Sequence, residues 1–235
     1  MILSSQKKKR LAIIPARGGS KRIHKKNIKF FLGIPIILRV LKEVSESNLF
    51  DEIHVSTEDE EIAKIVTSAG FEIKFLRDNS LSCDDTPLGD VIKEVIEKYK
   101  ELGQSFDTIA MIFSTAVLID RDLIKMAINE FENGDTSVQL LSISKFPAPI
   151  ERAMRMSENN SLNSIDIKAM EQPSNSLSDA WYETGDFVVY NENGVLTNSP
   201  TSPKRGYCLP QWLSIDIDNL EDWEAAEWVF KNIYT

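Results

Sequence analysis

Short apolar runs alternate along this chain with longer stretches whose apolar residues recur every three or four positions, the pattern of strands set between amphipathic helices. Leu11-Ala12-Ile13-Ile14-Pro15 is an unbroken apolar run and reads as a buried strand. A Gly- and Lys-rich loop follows, and then a helix over 35–47, with Pro35 at its first turn. Residues 52–56 alternate as a strand. Thr57 is the expected cap of a helix that runs to Ala69, with acidic residues in its first turn and Gly70 at its end. Residues 71–75 read as a third strand, ahead of a polar loop from Arg77 to Pro87 and a long helix to about Leu102. A strand at 107–113, a helix opened by Asp120 and reaching about Phe131, and a strand at 138–144 continue the series.

After Phe146 the rhythm breaks. Residues 147–178 are rich in Pro, Ser, Asn and Met and only weakly periodic, and read as an arm for a substrate or subunit contact. Strands at 187–190 and 213–217 resume the sheet. A final amphipathic helix over 220–233 offers Trp223, Ala226, Trp228 and Phe230 for packing. Strand–helix alternation of this kind predicts an α/β protein built on a doubly wound, mostly parallel sheet. Residues 1–235 read as a single domain with 147–178 as an excursion, and no internal repeat is visible.

Composition narrows the class. A 42% hydrophobic, 27% charged chain is ordinary for a soluble globular protein, and no apolar run nears the ~18 residues that would span a bilayer. The basic start leads into an apolar run too short for a signal peptide, so the expected location is the cytoplasm. Cys83 and Cys208 are far apart, which argues against a disulfide framework or a thiolate metal site. A net charge of −9 disfavours nucleic acid as a partner. Yet ten of the 27 basic residues fall within the first 30, a bias that points to a local anion site. Within that group, Lys7 to Arg10 read as a solvated tail.

The loop after the first strand, Ala16-Arg17-Gly18-Gly19-Ser20-Lys21-Arg22, is where an open α/β sheet places its ligand crevice. Adjacent glycines would let backbone N–H groups approach phosphate oxygens, while Arg17 and Lys21 neutralise a triphosphate. The spacing matches neither the P-loop nor the dinucleotide fingerprint, and a plain tight turn is the competing reading. Near the carboxyl end, Ser214-Ile215-Asp216-Ile217-Asp218 would, as a strand, set two carboxylates on one side, hard oxygen ligands of the kind Mg²⁺ prefers beside phosphate. An ordinary helix cap is the alternative there.

Together these segments resemble the CMP-sialic-acid synthetase (acylneuraminate cytidylyltransferase) family. Ala16 to Arg22 followed by Lys26-Asn27-Ile28 is similar to the family's amino-terminal signature, with His24 where proline is usual. Residues 50–63, Phe75-Leu76-Arg77 and Asp84-Asp85-Thr86 extend the likeness, and Asp216 to Trp223 resembles the family's Asp-Ile-Asp-x-x-Glu-Asp-Trp ending. The resemblance implies a Rossmann-like nucleotidyltransferase fold and transfer of CMP from CTP to an acidic nine-carbon sugar. It implies Arg17, Lys21 and Lys26 as catalytic groups and Mg²⁺ on Asp216 and Asp218. It further implies that Ala16, Arg17, Gly18, Gly19, Ser20, Lys21, Asn27, Arg77, Ser82 and Thr115 border the nucleotide, and that the assembly is a homodimer.

Phe146-Pro147-Ala148-Pro149-Ile150-Glu151-Arg152-Ala153 looks like the pattern of the pseudaminic acid subgroup, as does Ala180-Trp181-Tyr182-Glu183-Thr184-Gly185-Asp186-Phe187. On that likeness Arg152, Gly185 and Asp186 are sugar contacts, with Arg152 able to fork onto the sugar carboxylate. Asp186 replaces the subgroup's Gln, and Phe113-Ser114-Thr115-Ala116-Val117 replaces its Tyr-Pro-Thr-Ala-Pro. N-acetylneuraminate, legionaminate and Kdo therefore remain alternative substrates. Two rival classes stand beside them: a transferase for neutral sugar phosphates, and a nucleotide-binding regulator that has lost its sugar site.

Overall fold

The computed structural model describes residues 8–197, 199 and 201–234, so Lys7 lies outside it; Arg10, expected in a solvated tail, instead opens the first strand and donates to Glu132 at 2.8 Å. In chain order the elements are β1 (Arg10–Pro15), β2 (Phe30–Phe31), β3 (Ile34–Pro35), α1 (Ile36–Glu46), β4 (Glu52–Ser56), α2 (Glu60–Ser68), α3 (Leu88–Glu101), β5 (Thr108–Ile112), α4 (Arg121–Asn133) and β6 (Gln139–Lys145). Then come β7 (Met154–Met156), β8 (Leu162–Ser164), α5 (Ile167–Met170), β9 (Trp181–Tyr190), α6 (Glu192–Thr197), β10 (Lys204–Cys208) and α7 (Leu220–Ile233). The main sheet has the strand order β10-β6-β9-β5-β1-β4. β1 runs parallel to β4 and β5, and β10 parallel to β6. β9 alone is antiparallel to its neighbours. The sheet is thus mostly parallel, as the strand–helix alternation predicts.

Alternation within β1 shows why the sheet is covered on both faces. Ala12 and Ile14 enter one core with α1, α2, α4 and α7, whereas Leu11 and Ile13 enter a second core with α3. All four are fully buried. A strand with no polar face can only be a central strand, and the continuous apolar run is the sequence record of that position.

Two predicted strands are absent. Residues 71–75 form no ladder and turn inward instead, so that the Phe75 ring lies 4.3 Å from the His54 ring; β4 remains the edge. Residues 213–217 also make no ladder. Their alternation is real, since Leu213 and Ile217 are buried, but it serves the core and not a strand pair. The opposite edge is β10, a polar segment whose sequence gave no strand signal. Asp59, not Thr57, caps α2, its carboxylate accepting from the N–H groups of Glu61 and Ile62. Trp228 is 67% exposed; Trp223, Ala226 and the half-buried Phe230 carry the packing of α7. The arm is a β7–β8 hairpin followed by α5, apart from the main sheet.

Candidate active site

At the carboxyl ends of β1 and β5 a pocket of about 190 Å³ is lined by Arg17, Ser20, Lys21, Lys26, Asn27, Arg77, Thr115 and Asp218, together with Arg22 and Phe113. Segments from the first thirty residues, the middle and the end of the chain meet here because strands order β4-β1-β5 side by side. Ala16 extends the β1–β4 ladder by donating its N–H to the Ser56 carbonyl at 2.9 Å, which fixes where the loop leaves the sheet. Asn27, buried in a 3-10 turn, holds the loop from below. Its amide donates to the Arg17 carbonyl at 2.8 Å and its oxygen accepts from the Ser114 hydroxyl at 2.6 Å. Asn27 thus positions the loop with its side-chain oxygen and one amide hydrogen already engaged.

The two glycines have different reasons for being there. The Gly18 N–H is committed to Glu58 Oε1 at 2.8 Å, so it does not face a ligand as the sequence reading expected. A Cβ on residue 18 would fall on the Asp59 carboxylate, within 3.0 Å of that side chain's Cβ and Cγ. The first glycine is therefore required by packing against the cap of α2. Gly19 has nothing within 4 Å of a built Cβ and does not line the pocket.

The cations are all matched with anions. Arg17 and Lys21 both pair with Asp84, on the loop ahead of α3. Arg22 pairs with Asp218 at 2.7 Å, and Lys26 donates to the Ile217 carbonyl at 2.6 Å while lying 3.4 Å from the Asp218 carboxylate. Arg77 is buried; its guanidinium donates to the hydroxyl and carbonyl of Ser56 at 3.0 and 2.6 Å and lies 3.7 Å from Glu58. Burial lowers its pKa, with Glu58 opposing the shift.

Asp216 and Asp218 are not held by a strand; Asp218 lines the pocket, and Asp216 lies outside its lining but within reach of the Asp218 charge. Asn219 is the cap of α7, and Asp222 accepts from the N–H groups of both Asp218 and Asn219 at 2.9 Å. This capping box leaves the two aspartates free of capping duty. Asp216 keeps solvent access, yet its surroundings desolvate the carboxylate and, with the charge of Asp218 adding, raise its pKa. Gly185 packs against it: φ is +72°, and a Cβ there would come 3.4 Å from the Asp216 carboxyl carbon. Asp186 is 3% exposed with Oδ2 unpartnered, and burial foremost raises its pKa to about 7, the charge of Asp216 adding to the shift. It lines neither cavity at the site. Among the described residues no group of three or more His, Cys, Asp or Glu is placed to hold a metal ion.

A second cavity of about 470 Å³ adjoins the first and shares Leu88 and Phe113 with it. Met111, Leu141, Val188 and Tyr190 give it apolar walls; Asp90, Lys93, Glu183 and Gly185 add polar groups. Ser82 ends a 3-10 turn outside both cavities. Arg152 lies in the arm, donating to the Gln172 carbonyl at 2.6 Å with its Nε unpartnered, and likewise lines neither. Glu58 and Asp84 are the residues sequence reasoning missed. The acidic run Glu58-Asp59 directly after a parallel strand was the available signal, since strand ends carry the site.

The sequence profile described as cytidylyltransferase matches residues 11–198. The chain is 34% identical to a pseudaminic acid cytidylyltransferase of Campylobacter jejuni, over 95% of this chain and 97% of that protein. It is 27% identical to a CMP-N,N'-diacetyllegionaminic acid synthase of Legionella pneumophila, over 92% and 94% respectively. A solved CMP:2-keto-3-deoxy-manno-octonic acid synthetase complexed with CTP superposes with a TM-score of 0.70 at 16% identity, covering 95% of this chain and 99% of that one. That likeness shows a shared fold. No helix among the described residues is long and apolar enough to cross a membrane.

Proposed function

The chain belongs to the cytidylyltransferase family, and we propose that it transfers CMP from CTP to the anomeric hydroxyl of a nonulosonic acid, pseudaminic acid in particular, in the cytoplasm. The carrying observation is one pocket that gathers Arg17, Lys21, Arg22 and Lys26 opposite Asp218, beside a second cavity of sugar size. In this reading the triphosphate lies along the Arg17–Lys21 loop, with Lys26 and Arg22 beside the α-phosphate. The sugar occupies the adjoining cavity, where Met111, Leu141 and Val188 suit its acyl and deoxy groups. The sugar oxygen bonds to the α-phosphorus, the bond to the bridging oxygen of pyrophosphate breaks, and the hydroxyl proton is released. Positioning and charge neutralisation supply the rate in such a transfer.

Asp216 and Asp218 fit a magnesium ion. Neither carboxylate has a capping duty, and burial of Asp216, with the charge of Asp218 adding, raises its pKa, a condition a divalent cation relieves. Two protein carboxylates are the usual share for Mg²⁺, whose remaining positions go to water and phosphate oxygens. Bound there, the ion would offset charge on the α-phosphate and the leaving pyrophosphate. Asp218 would then exchange Arg22 and Lys26 for the ion and free both cations for phosphate.

The arm suggests how the sugar site is completed. Met156, Leu162 and Ile167 are 69%, 62% and 72% exposed, an apolar surface that a second copy would cover. In the homodimer we propose, Arg152 meets the sugar carboxylate in the partner's site. The test is to incubate protein, CTP and Mg²⁺ with pseudaminic, legionaminic, N-acetylneuraminic and Kdo acids. Expected is one CMP-sugar and one pyrophosphate per turnover with pseudaminic acid. Product with none of the keto acids, or only with a sugar 1-phosphate, refutes the proposal.

A further inference from the structure

The phosphate loop already holds an anion, and that anion belongs to the chain. Asp84 divides its two carboxylate oxygens between Arg17 and Lys21, one to the guanidinium and one to the ammonium. These hydrogen bonds hold its carboxyl below the usual carboxylate range, Lys21 contributing most. Asp84 is presented at the tip of a turn that the Thr86 N–H closes onto the Cys83 carbonyl at 3.2 Å. Both ends of the carrying loop are anchored. The Arg77 N–H donates to the Thr57 carbonyl at 2.9 Å, the Asp78 N–H donates to Glu94 at 2.8 Å, and α3 begins at Leu88. The tip between these anchors is exposed and touches the site through its carboxylate.

We infer that Asp84 is an internal stand-in for phosphate, which a polyphosphate must displace to bind and which returns to help expel pyrophosphate. This rests on the reading that the Arg17–Lys21 loop receives the triphosphate. A single carboxylate loses to a chain of phosphates carrying three or four charges but competes well with one or two. Asp84 therefore sets a threshold: it favours tri- and pyrophosphate over singly charged anions and keeps the two cations paired when the site is empty. On release, the same carboxylate re-forms both pairs as pyrophosphate leaves, which weakens product retention.

The experiment is calorimetric titration of the wild type and Asp84→Asn with CTP, inorganic pyrophosphate and cytidine. Two exposed ion pairs make a modest competitor, so Asp84→Asn should bind CTP and pyrophosphate about fivefold more tightly and leave cytidine unchanged. Asp84→Glu should bind as the wild type does. Asp85→Asn, an equal charge change one residue along, should tighten binding by less than twofold. Weaker CTP binding by Asp84→Asn would make the residue a nucleotide ligand and overturn the inference. So would equal tightening by Asp85→Asn, which would reduce the effect to general charge. If the wild type binds neither CTP nor pyrophosphate, the cytidylyltransferase reading itself falls; if it binds both and Asp84→Asn is unchanged, only the stand-in role is lost.

Discussion

Gly18→Ala tests whether the first glycine of the loop is there for packing. The added Cβ would lie within 3.0 Å of Asp59 Cβ and Cγ and nearer still to its Oδ2, where ordinary contact begins at 3.4 Å. Either Asp59 yields or the loop moves by roughly 1 Å. If Asp59 yields, α2 loses the carboxylate that receives the Glu61 and Ile62 N–H groups at 2.7 and 3.1 Å. A lost cap of this type costs about 1 kcal/mol, a fall of roughly 2–4 °C in Tm for a chain this size. If the loop moves, Arg17 and Lys21 move with it, and a shift of about 1 Å in positioning groups lowers kcat/KM by roughly 100-fold. The two costs are separated by Gly18→Ala/Asp59→Gly, because glycine is a tolerated cap and clears the obstruction. Thermal melts and steady-state kinetics should show Gly18→Ala impaired and the double variant restored toward Asp59→Gly alone. A Gly18→Ala protein with unchanged Tm and kcat/KM, or a double variant no better than Gly18→Ala, would refute the packing argument. Gly19→Ala, with open space around it, should melt as the wild type does.

Asp216→Asn and Asp218→Asn should each lower turnover by roughly 100-fold with the fold intact, and EDTA should abolish product that Mg²⁺ restores; near-normal rates in both variants would remove the metal assignment. Arg152→Ala should raise the KM for the sugar and leave that for CTP unchanged, and a change in both, or in neither, would release it from the carboxylate role. His54 makes acid stability the third readout. Burial lowers its pKa to about 3, nearby Lys98, Lys74 and Arg77 adding to the shift, so the unfolded chain binds the extra proton between pH 6.5 and 3 and stability falls as pH drops through that window. From pH 7 to 5 the wild type should lose about 2 kcal/mol more than His54→Phe in urea melts, and parallel losses would show that His54 does not titrate in this way.

The helices α1 to α4 and α7 and the strands β1, β4, β5 and β6 were legible in the sequence because they follow from local patterning. The buried run 11–15, the helix periods and the cap at Asp120 depend on neighbours a few residues away, and the structure reproduces them. The cation loop and the Asp216–Asp218 pair stood out through residue type and family resemblance together, residue type by itself leaving a tight turn and a helix cap open; the structure sets Arg17, Lys21 and Asp218 around one pocket. Ladder membership was not legible. Residues 213–217 alternate as a strand would, but whether alternation ends in a ladder or in side-chain burial depends on which edge is vacant, and β10 occupies it. The partners of the loop were equally out of reach. Glu58 on the Gly18 N–H and Asp84 on Arg17 come from 40 and 67 residues away along the chain. The Asp59 carboxylate that requires glycine at 18 is likewise remote in sequence, brought close only when β4 pairs with β1. Chemistry carried by a residue's own side chain can be read from the chain itself, whereas the groups that hold it, oppose it or stand in for its ligand are chosen by strand pairing, which acts at a distance no local pattern records.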